Sequence, residues 1–306
     1  MSISKKFLTY TISSIPKNIA SYFARPYIAG EDSETALLEV KKINELGFSA
    51  TLDILGENVI DNSQTKKITS QYCRLYDLIK ENKTDCNISI KATHIGLAIG
   101  VKQCFSNLLT ILKKAKEVNN FLRLDMENSE HTDKIIELYK YGKKYHKSTG
   151  LAIQSYLHRS IDDINNLASE NFNARICKGI YKESEKLAFQ NSSKIRNNFL
   201  ALAEIMALKN AYACYATHDQ KLIDQILRFT NKYQLSKDRF EFQVLYGVPM
   251  EGRLESLIGM GYKVRVYIPY GPDWFDYSIR RLKENPNIIN FVLKNFLAKK
   301  VNPNKN

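Results

Sequence analysis

Paired cysteines, long apolar runs and glycine-rich loops are all missing from this 306-residue sequence. Its five cysteines never form a Cys-x-x-Cys pair, so neither a disulfide framework nor a metal site is indicated. No apolar run approaches the roughly 20 residues that span a bilayer, and the start lacks the apolar segment of a secretory signal. We therefore expect a soluble, cytoplasmic protein. The first 30 residues contain no acidic side chain, which also leaves a mitochondrial transit peptide open.

The absence of nucleotide-binding glycine loops disfavours an open doubly wound sheet, because such sheets normally begin with one. Acidic residues are also in short supply, with 32 against 45 basic residues and a formal net charge of +13. That charge attracts nucleic acid, anionic lipid or small anions without selecting among them. The lysine-rich runs at 113–116, at 140–147 and in the C-terminal tail are typical of solvated surfaces.

Short β-branched runs alternate with segments of helical periodicity along the whole chain. Alternation of this kind favours a parallel sheet with crossover helices, and eight such units fit a (β/α)₈ barrel. The sequence therefore predicts an α/β fold: one (β/α)₈ TIM-barrel domain over residues 1–306, with N-terminal helices within 1–45, a C-terminal helix over the barrel mouth and a basic tail at 299–306. The predicted strands lie within 48–55, 88–93, 121–127, 151–157, 174–179, 212–218, 240–247 and 263–271.

Polar side chains occupy the ends of most predicted strands, which is where barrel proteins of this class place their active sites. Buried charges are costly unless they are paired, so these groups indicate a polar ligand shared at one mouth. They are Lys91, Asp125, Glu127, Gln154, Arg175, Lys178, Thr217, His218, Gln243 and Tyr267.

The stretch DWFDYSIRRLKENP at 273–286 predicts a helix after the last strand, with Tyr277, Arg280, Arg281 and Glu284 on one face. Two adjacent guanidinium groups match the planar geometry of a carboxylate, so this face predicts an anionic ligand. The alternative from the pattern alone is a solvated face on which the arginines pair with Glu284 and Asp276.

Seven stretches give the sequence a resemblance to the proline dehydrogenase family, in its short monofunctional bacterial form, from about residue 28 to residue 293. They are ATLDILGENV, LRLDMENSEHTD, AIQSYLHRSIDD, ARICKGIYKE, YATHD, EFQVLYGV and RVYIPYGPDWFDYSIRRLKENPN. The resemblance implies a distorted (β/α)₈ flavoenzyme that takes the first step of proline catabolism. It implies oxidation of L-proline to Δ1-pyrroline-5-carboxylate by hydride transfer to N5 of FAD, with the electrons passed to a membrane quinone. Peripheral contact with the anionic inner membrane would follow.

The resemblance also implies roles for individual residues. Carboxylate binding falls to Lys91, Arg280 and Arg281, and closure around the substrate ring falls to Tyr181, Leu245, Tyr267 and Tyr277. Asp125 and Arg175 are the remaining active-site charges; we expect Asp125 to neutralise and orient Lys91, and Arg175 to stabilise negative charge on the flavin. For FAD the resemblance implies Met126, Gln154, Arg175, Lys178, Gly179, Ile180, Thr217 and His218. Glu284 is expected to hold Arg280 or to touch the cofactor.

Two other functions remain open on the residues alone. A Schiff-base aldolase or lyase on the same barrel would use Lys91 or Lys178 as a nucleophile and would need no flavin. A basic nucleic-acid-binding protein is favoured only by the net charge and leaves the polar strand ends unexplained. We therefore expect no nucleic-acid partner.

Overall fold

Eight parallel strands close into a barrel in the part of the chain that the structure describes. The computed structural model describes residues 25–275 and residue 277. Each strand pairs with its neighbours in chain order, and β8 pairs with β1. The strands are β1 Ser49–Ile54, β2 Cys86–Ile90, β3 Leu122–Leu124, β4 Thr149–Gln154, β5 Asn173–Cys177, β6 Tyr212–Ala216, β7 Phe240–Leu245 and β8 Val264–Tyr270.

Helices connect the strands on the outside of the barrel, as crossover connections between parallel strands require. Short 3₁₀ turns lie at Arg25–Tyr27, Ser129–His131 and Lys237–Arg239. The described α-helices are α1 Ser33–Glu45, α2 Asn62–Glu81, α3 Val101–Glu117, α4 Thr132–Tyr145, α5 Ser160–Leu167, α6 Ser192–Leu208, α7 Gln220–Lys232 and α8 Arg253–Gly259.

Local sequence explains where several helices begin. Asp32, Asp61, Asn191 and Asp219 precede α1, α2, α6 and α7, and the side chain of each accepts a hydrogen bond from a backbone N–H of the first turn. Short polar side chains at this position satisfy donors that the helix itself leaves unpaired. The apolar residues that follow recur at helical spacing, so each helix buries one face against the sheet.

A buried ion pair lies near the starts of β7 and β8, inside the barrel and away from its mouth. Arg265 Nε donates to Glu241 Oε1 at 2.9 Å, and Arg265 Nη1 donates to the carbonyl of Ala50 at 2.7 Å. Glu241 also accepts from Gln243 Nε2 at 2.5 Å and from the Tyr212 hydroxyl at 3.3 Å. Both carboxylate oxygens are therefore bonded, as buried charges require.

The segment before α1 lies against the mouth ends of β7 and β8. Ala29 N donates to the carbonyl of Pro269, and Gly271 N donates to the carbonyl of Gly30, both at 3.0 Å. Gly247, just after β7, has a φ of +74°, and a Cβ there would meet the carbonyl oxygen of Pro26 at 1.6 Å. Only glycine fits this close approach of two backbones.

The predicted eight-stranded α/β barrel is confirmed: a strand overlaps every predicted run, although β2, β4 and β5 begin one or two residues before theirs. Of the N-terminal helices predicted within 1–45, α1 is described and residues 1–24 lie outside the described part. The C-terminal helix over the mouth and the basic tail at 299–306 also fall outside it, apart from residues 274, 275 and 277, and the single-domain assignment stays a prediction. Among the described helices, none combines the length and apolar character needed to cross a membrane.

Candidate active site

A cavity of about 370 Å³ opens at the carboxyl ends of the strands. The described residues that the resemblance implies for substrate and FAD all line the cavity: Lys91, Asp125, Met126, Gln154, Arg175, Lys178, Gly179, Ile180, Tyr181, Thr217, His218, Leu245, Tyr267 and Tyr277. Glu127, one of the predicted polar strand ends, is not among the lining residues. Volumes of this order hold small organic ligands or parts of larger ones. Arg280, Arg281 and Glu284 lie outside the described residues, so the arginine clamp stays a prediction.

Lys91 at the end of β2 pairs with Asp53 of β1. Lys91 Nζ lies 2.6 Å from Asp53 Oδ2, and the lysine and aspartate side chains are 12% and 1% exposed. Burial alone lowers the pKa of Lys91, but the charges of Asp53 and Asp125 outweigh it and raise that pKa above its ordinary value. The expectation that Asp125 orients Lys91 is therefore wrong, because Asp53 makes the hydrogen bond; Asp125 contributes its negative charge.

Asp125 pairs instead with Arg175, whose guanidinium bridges four strands. Arg175 Nη1 donates to Asp125 Oδ1 at 2.5 Å, Nη2 to Ser89 Oγ at 2.8 Å, and Nε to Gln243 Oε1 at 2.7 Å. The Tyr267 hydroxyl donates to Asp125 Oδ2 at 2.8 Å, and the guanidinium carbon lies 4.8 Å from the Tyr267 ring centroid. This network fixes the orientation of both predicted active-site charges, because each carboxylate oxygen already has a donor.

Gln154 at the end of β4 presents an acceptor at the cavity. Its Nε2 donates to the carbonyl of Glu127 at 2.8 Å, while its buried Oε1 has no hydrogen-bond partner among the described residues. The Glu127 carboxylate accepts from both the backbone N–H and the hydroxyl of Thr93, which holds the chain after β3 against the loop after β2. A buried acceptor without a donor is costly, so Gln154 Oε1 is suited to bind a ligand N–H.

Gly179 brings the backbone after β5 into the cavity wall. It has a φ of +105°, and a Cβ there would meet the ring of Tyr156 at 2.2 Å. A side chain is therefore excluded by both conformation and space. The neighbouring Ile180 is 48% exposed at the mouth, so its side chain remains accessible to a ligand that lies along the rim.

Two cations meet one carboxylate at the rim. Lys178 Nζ lies 2.6 Å and Arg196 Nη1 lies 3.2 Å from Asp219 Oδ2. Asp219 also accepts from Leu222 N as the cap of α7, and its own N–H donates to Thr217 Oγ1 at 3.1 Å. The cluster carries one net positive charge, which favours an anionic group at this side of the cavity.

His218 and the tyrosines complete the wall. Leu245 N donates to His218 Nε2 at 2.9 Å, which places the ring proton of a neutral His218 on Nδ1. The Tyr181 hydroxyl lies 3.4 Å from Glu57 Oε2 in the loop after β1. Tyr277 packs against Ile28 and Leu55, so the aromatic side of the cavity also contacts the segment before α1.

Sequence reasoning missed Asp53 and Asp219, which pair with two of the predicted lysines. Asp53 is the one acidic residue in the run FSATLDIL, and a charge near the end of an otherwise apolar strand was the available signal. Asp219 follows Thr217 and His218 directly and carried the signature of a helix cap. No group of three or more metal-ligating side chains lies together in the described part of the chain.

The fold and this cavity define the class: a (β/α)₈-barrel protein with a charged, ligand-sized site at the carboxyl ends of its strands, as barrel enzymes have. The family model described as proline dehydrogenase matches residues 36–294 of the sequence. The chain belongs to the proline dehydrogenase family.

Individual relatives support this assignment over nearly the whole chain. The chain is 34% identical to proline dehydrogenase 1 of Bacillus subtilis (strain 168) over 276 residues, which cover 90% of this chain and 91% of that protein. It is 32% identical to proline dehydrogenase of Deinococcus radiodurans over 279 residues, 90% of each chain.

The barrel also resembles a solved structure of proline utilization A (PutA) from Bdellovibrio bacteriovorus inactivated by N-propargylglycine. The TM-score is 0.80 at 23% identity, and the match covers 95% of this chain and 35% of that one. The chain thus spans about a third of the length of that protein, and the likeness supports the fold.

Proposed function

We propose that the protein is an FAD-dependent proline dehydrogenase that oxidises L-proline to Δ1-pyrroline-5-carboxylate and passes the electrons to a quinone. The observation that carries the proposal is the gathering of all the described predicted site residues around one cavity. Family membership narrows the chemistry to oxidation of proline, and the cavity wall combines side chains suited to a carboxylate, to an apolar ring and to a flavin.

The residues on one side of the cavity fit a flavin. The unpartnered Gln154 Oε1 is an acceptor for a ring N–H, and Gly179 lets the backbone approach without a Cβ. Lys178 and Arg196 leave a net positive charge beside Asp219 for a diphosphate. Thr217 and His218 lie on the same wall, and Met126 and Ile180 supply packing.

On the substrate side, Lys91 is held charged at the cavity and would bind the proline carboxylate together with Arg280 and Arg281. Tyr267, Leu245, Tyr181 and Tyr277 would surround the ring and exclude water. Fixing the carboxylate at one end of the ring aligns C5 at the other, which is how positioning lowers a barrier. The amine proton leaves before or during the reaction, and no described side chain is assigned as its acceptor.

When bound, FAD supplies the two-electron acceptor that takes the hydride from C5 at its N5. Arg175 would stabilise negative charge beside that acceptor, and Asp125 and Tyr267 hold its guanidinium in place. The Schiff-base alternative needs a neutral lysine, whereas the pKa of Lys91 is raised by Asp53 and Asp125 despite burial.

The test is the visible spectrum of the purified protein. We expect a yellow protein whose flavin absorption bleaches when L-proline is added without oxygen and returns when a quinone analogue is added. Glycine, an amino acid without the ring, should not bleach it. A colourless protein that borohydride traps with a keto substrate would overturn the proposal in favour of the aldolase.

Delivery of electrons to a membrane quinone would bring the mouth close to a bilayer. The lysine-rich runs at 113–116 and 140–147 lie at the ends of α3 and α4, just before β3 and β4, so they face the opposite end of the barrel. Membrane contact through these lysines would point the mouth away from the lipid. Co-sedimentation with vesicles, with and without anionic lipid and at low and high salt, tests whether the protein docks on an anionic membrane. Binding that depends neither on anionic lipid nor on salt would count against such docking.

A further inference from the structure

The ion pair of Lys91 and Asp53 is incomplete in a way that other buried pairs of this barrel are not. Asp53 Oδ2 bonds Lys91, whereas Asp53 Oδ1 has no hydrogen-bond partner in the described part of the chain and is closed to solvent. Asp53 lines the cavity beside Lys91, and its one bonded oxygen is the oxygen that holds the lysine.

Lys91 lines the cavity and has N–H donors that a ligand could use. An ammonium group has three N–H donors, and within residues 25–275 and 277 Lys91 makes a single side-chain hydrogen bond, to Asp53. The direction of that bond fixes where the other two donors point. A buried lysine without its carboxylate would instead tend to lose its proton, since burial disfavours the charged form.

Several other charged or titratable groups act on Lys91 from the elements around it. Asp125 and Glu127, just after β3, add negative charge, and the Tyr267 hydroxyl of β8 donates to Asp125. His94 in the loop after β2 is buried with its pKa lowered to about 3, so it stays neutral and adds no positive charge. Asp53 is the one described carboxylate within ion-pair distance of Lys91.

We propose that Asp53 is a positioning residue that holds Lys91 at the cavity as an ammonium cation and thereby bars the Schiff-base chemistry that a neutral lysine would support. The inference rests on the proposed function for the role of Lys91 in carboxylate binding. It adds the reason that a lysine at a strand end of this barrel binds an anion and does not attack a carbonyl.

The first experiment measures how binding of cyclopentanecarboxylate, which has the ring and carboxylate of proline without its nitrogen, depends on pH. Titration calorimetry on the flavin-loaded protein compares the parent with Asp53→Asn, and Asp85→Asn serves as the control, since Asp85 is 67% exposed at the other end of the barrel. Near pH 6 the variant keeps its affinity, because Lys91 is charged in both proteins. At pH 9 we expect the variant to bind at least about tenfold more weakly, since one pKa unit changes the charged fraction up to tenfold.

The second experiment asks whether Lys91 becomes a nucleophile. At pH 8 the protein is treated with glyoxylate and cyanoborohydride, which convert a neutral amine through an imine into a stable secondary amine, and peptide mass spectrometry reads the label at Lys91. Labelling should be at least about tenfold faster in Asp53→Asn than in the parent, and Asp53→Glu, which keeps the charge, should restore slow labelling. Lys91→Met confirms the site of the label.

Equal pH dependence and equal labelling in the parent and Asp53→Asn would overturn the inference. If Asp53→Asn does not fold, the parent alone still decides, because loss of cyclopentanecarboxylate binding below pH 9 would contradict a lysine held charged. Neither readout needs turnover. A parent protein that never bleaches with proline would therefore defeat the proposed function and leave the test of Asp53 intact.

Discussion

Two buried acid–base pairs in one barrel differ in how fully their atoms are bonded. Near the starts of the strands, Glu241 accepts from Arg265, Gln243 and Tyr212, so both of its oxygens have donors. Near the ends of the strands, one carboxylate oxygen of Asp53 accepts from Lys91 and the other has no hydrogen-bond partner among the described residues. The Lys91 side chain makes only this one hydrogen bond within the same part of the chain.

The pKa values of the two acids also move in opposite directions. Burial raises the pKa of Glu241, but the charge and hydrogen bonds of Arg265 and Gln243 outweigh it and lower the pKa to about 2. Burial of Asp53 raises its pKa, and Lys91 offsets only part of that rise. Saturated charges belong to the framework of the barrel, whereas unsaturated ones mark where a ligand completes the bonding.

The largest effect should come from breaking the saturated pair. Arg265→Met leaves Glu241 charged and buried without its cation, so the free energy of unfolding should fall by about 3–5 kcal/mol. Urea unfolding at pH 7 measures the change. Adding Glu241→Gln to that variant should recover part of the loss, and a double variant no more stable than Arg265→Met would show that the pair does not carry the effect.

The pH dependence of stability should sharpen the contrast between the pairs. The folded pKa of Glu241 lies near 2, below its ordinary 4.5, so its contribution is complete above about pH 4.5 and disappears between pH 4.5 and 2. The loss should be about 3 kcal/mol. Urea unfolding at several pH values should show a shallower acid loss in Glu241→Gln than in the parent, and parallel curves would contradict the assignment.

One arginine of the predicted clamp should matter for catalysis more than for stability. Arg281→Met should remove a charge-assisted hydrogen bond of about 1.5–3 kcal/mol, which lowers kcat/KM for proline about 10- to 150-fold. Steady-state kinetics with a dye acceptor measure it. Arg74→Gln, a change on the surface of α2, is the matched control, and a kcat/KM for Arg281→Met within twofold of the parent would discard the clamp.

The smallest effect should come from an exposed pair. Arg74 Nη1 lies 3.1 Å from Glu81 Oε1, with the two side chains 59% and 55% exposed. Such pairs contribute under about 1 kcal/mol, so Arg74→Gln should leave the free energy of unfolding nearly unchanged. A larger loss in urea unfolding would mean that exposure is a poor guide to which charges hold this barrel.

The fold could be predicted because every strand has a local signal. Runs such as ISIKAT and YACYATH are short and apolar, and helical periodicity between them leaves few topologies open. The sequence has no comparable signal for which charged side chains pair with each other inside the barrel. The pairing of Asp125 with Arg175 depends on side chains 50 residues apart meeting inside a closed barrel, and spacing along the chain does not encode that.

The candidate site shows the same limit. The polar strand ends correctly predicted where the cavity lies. They do not all need a ligand, however, because Asp53, Gln243 and Asp219 already bond to Lys91, Arg175 and Lys178 within the protein. The individual roles came from the resemblance to the family. A carboxylate within an apolar strand, as at Asp53, is the feature that would have improved the prediction.

The contact between Gly247 and the Pro26 carbonyl has a practical consequence for protein engineering. Gly247, two residues after Leu245 of the cavity wall, lies in close contact with the backbone that precedes α1. A peptide inserted at position 247 would displace that backbone segment. Handles and fusion partners for immobilising the protein are better introduced in exposed loops at the far end of the barrel, such as the turn around Lys83 between α2 and β2.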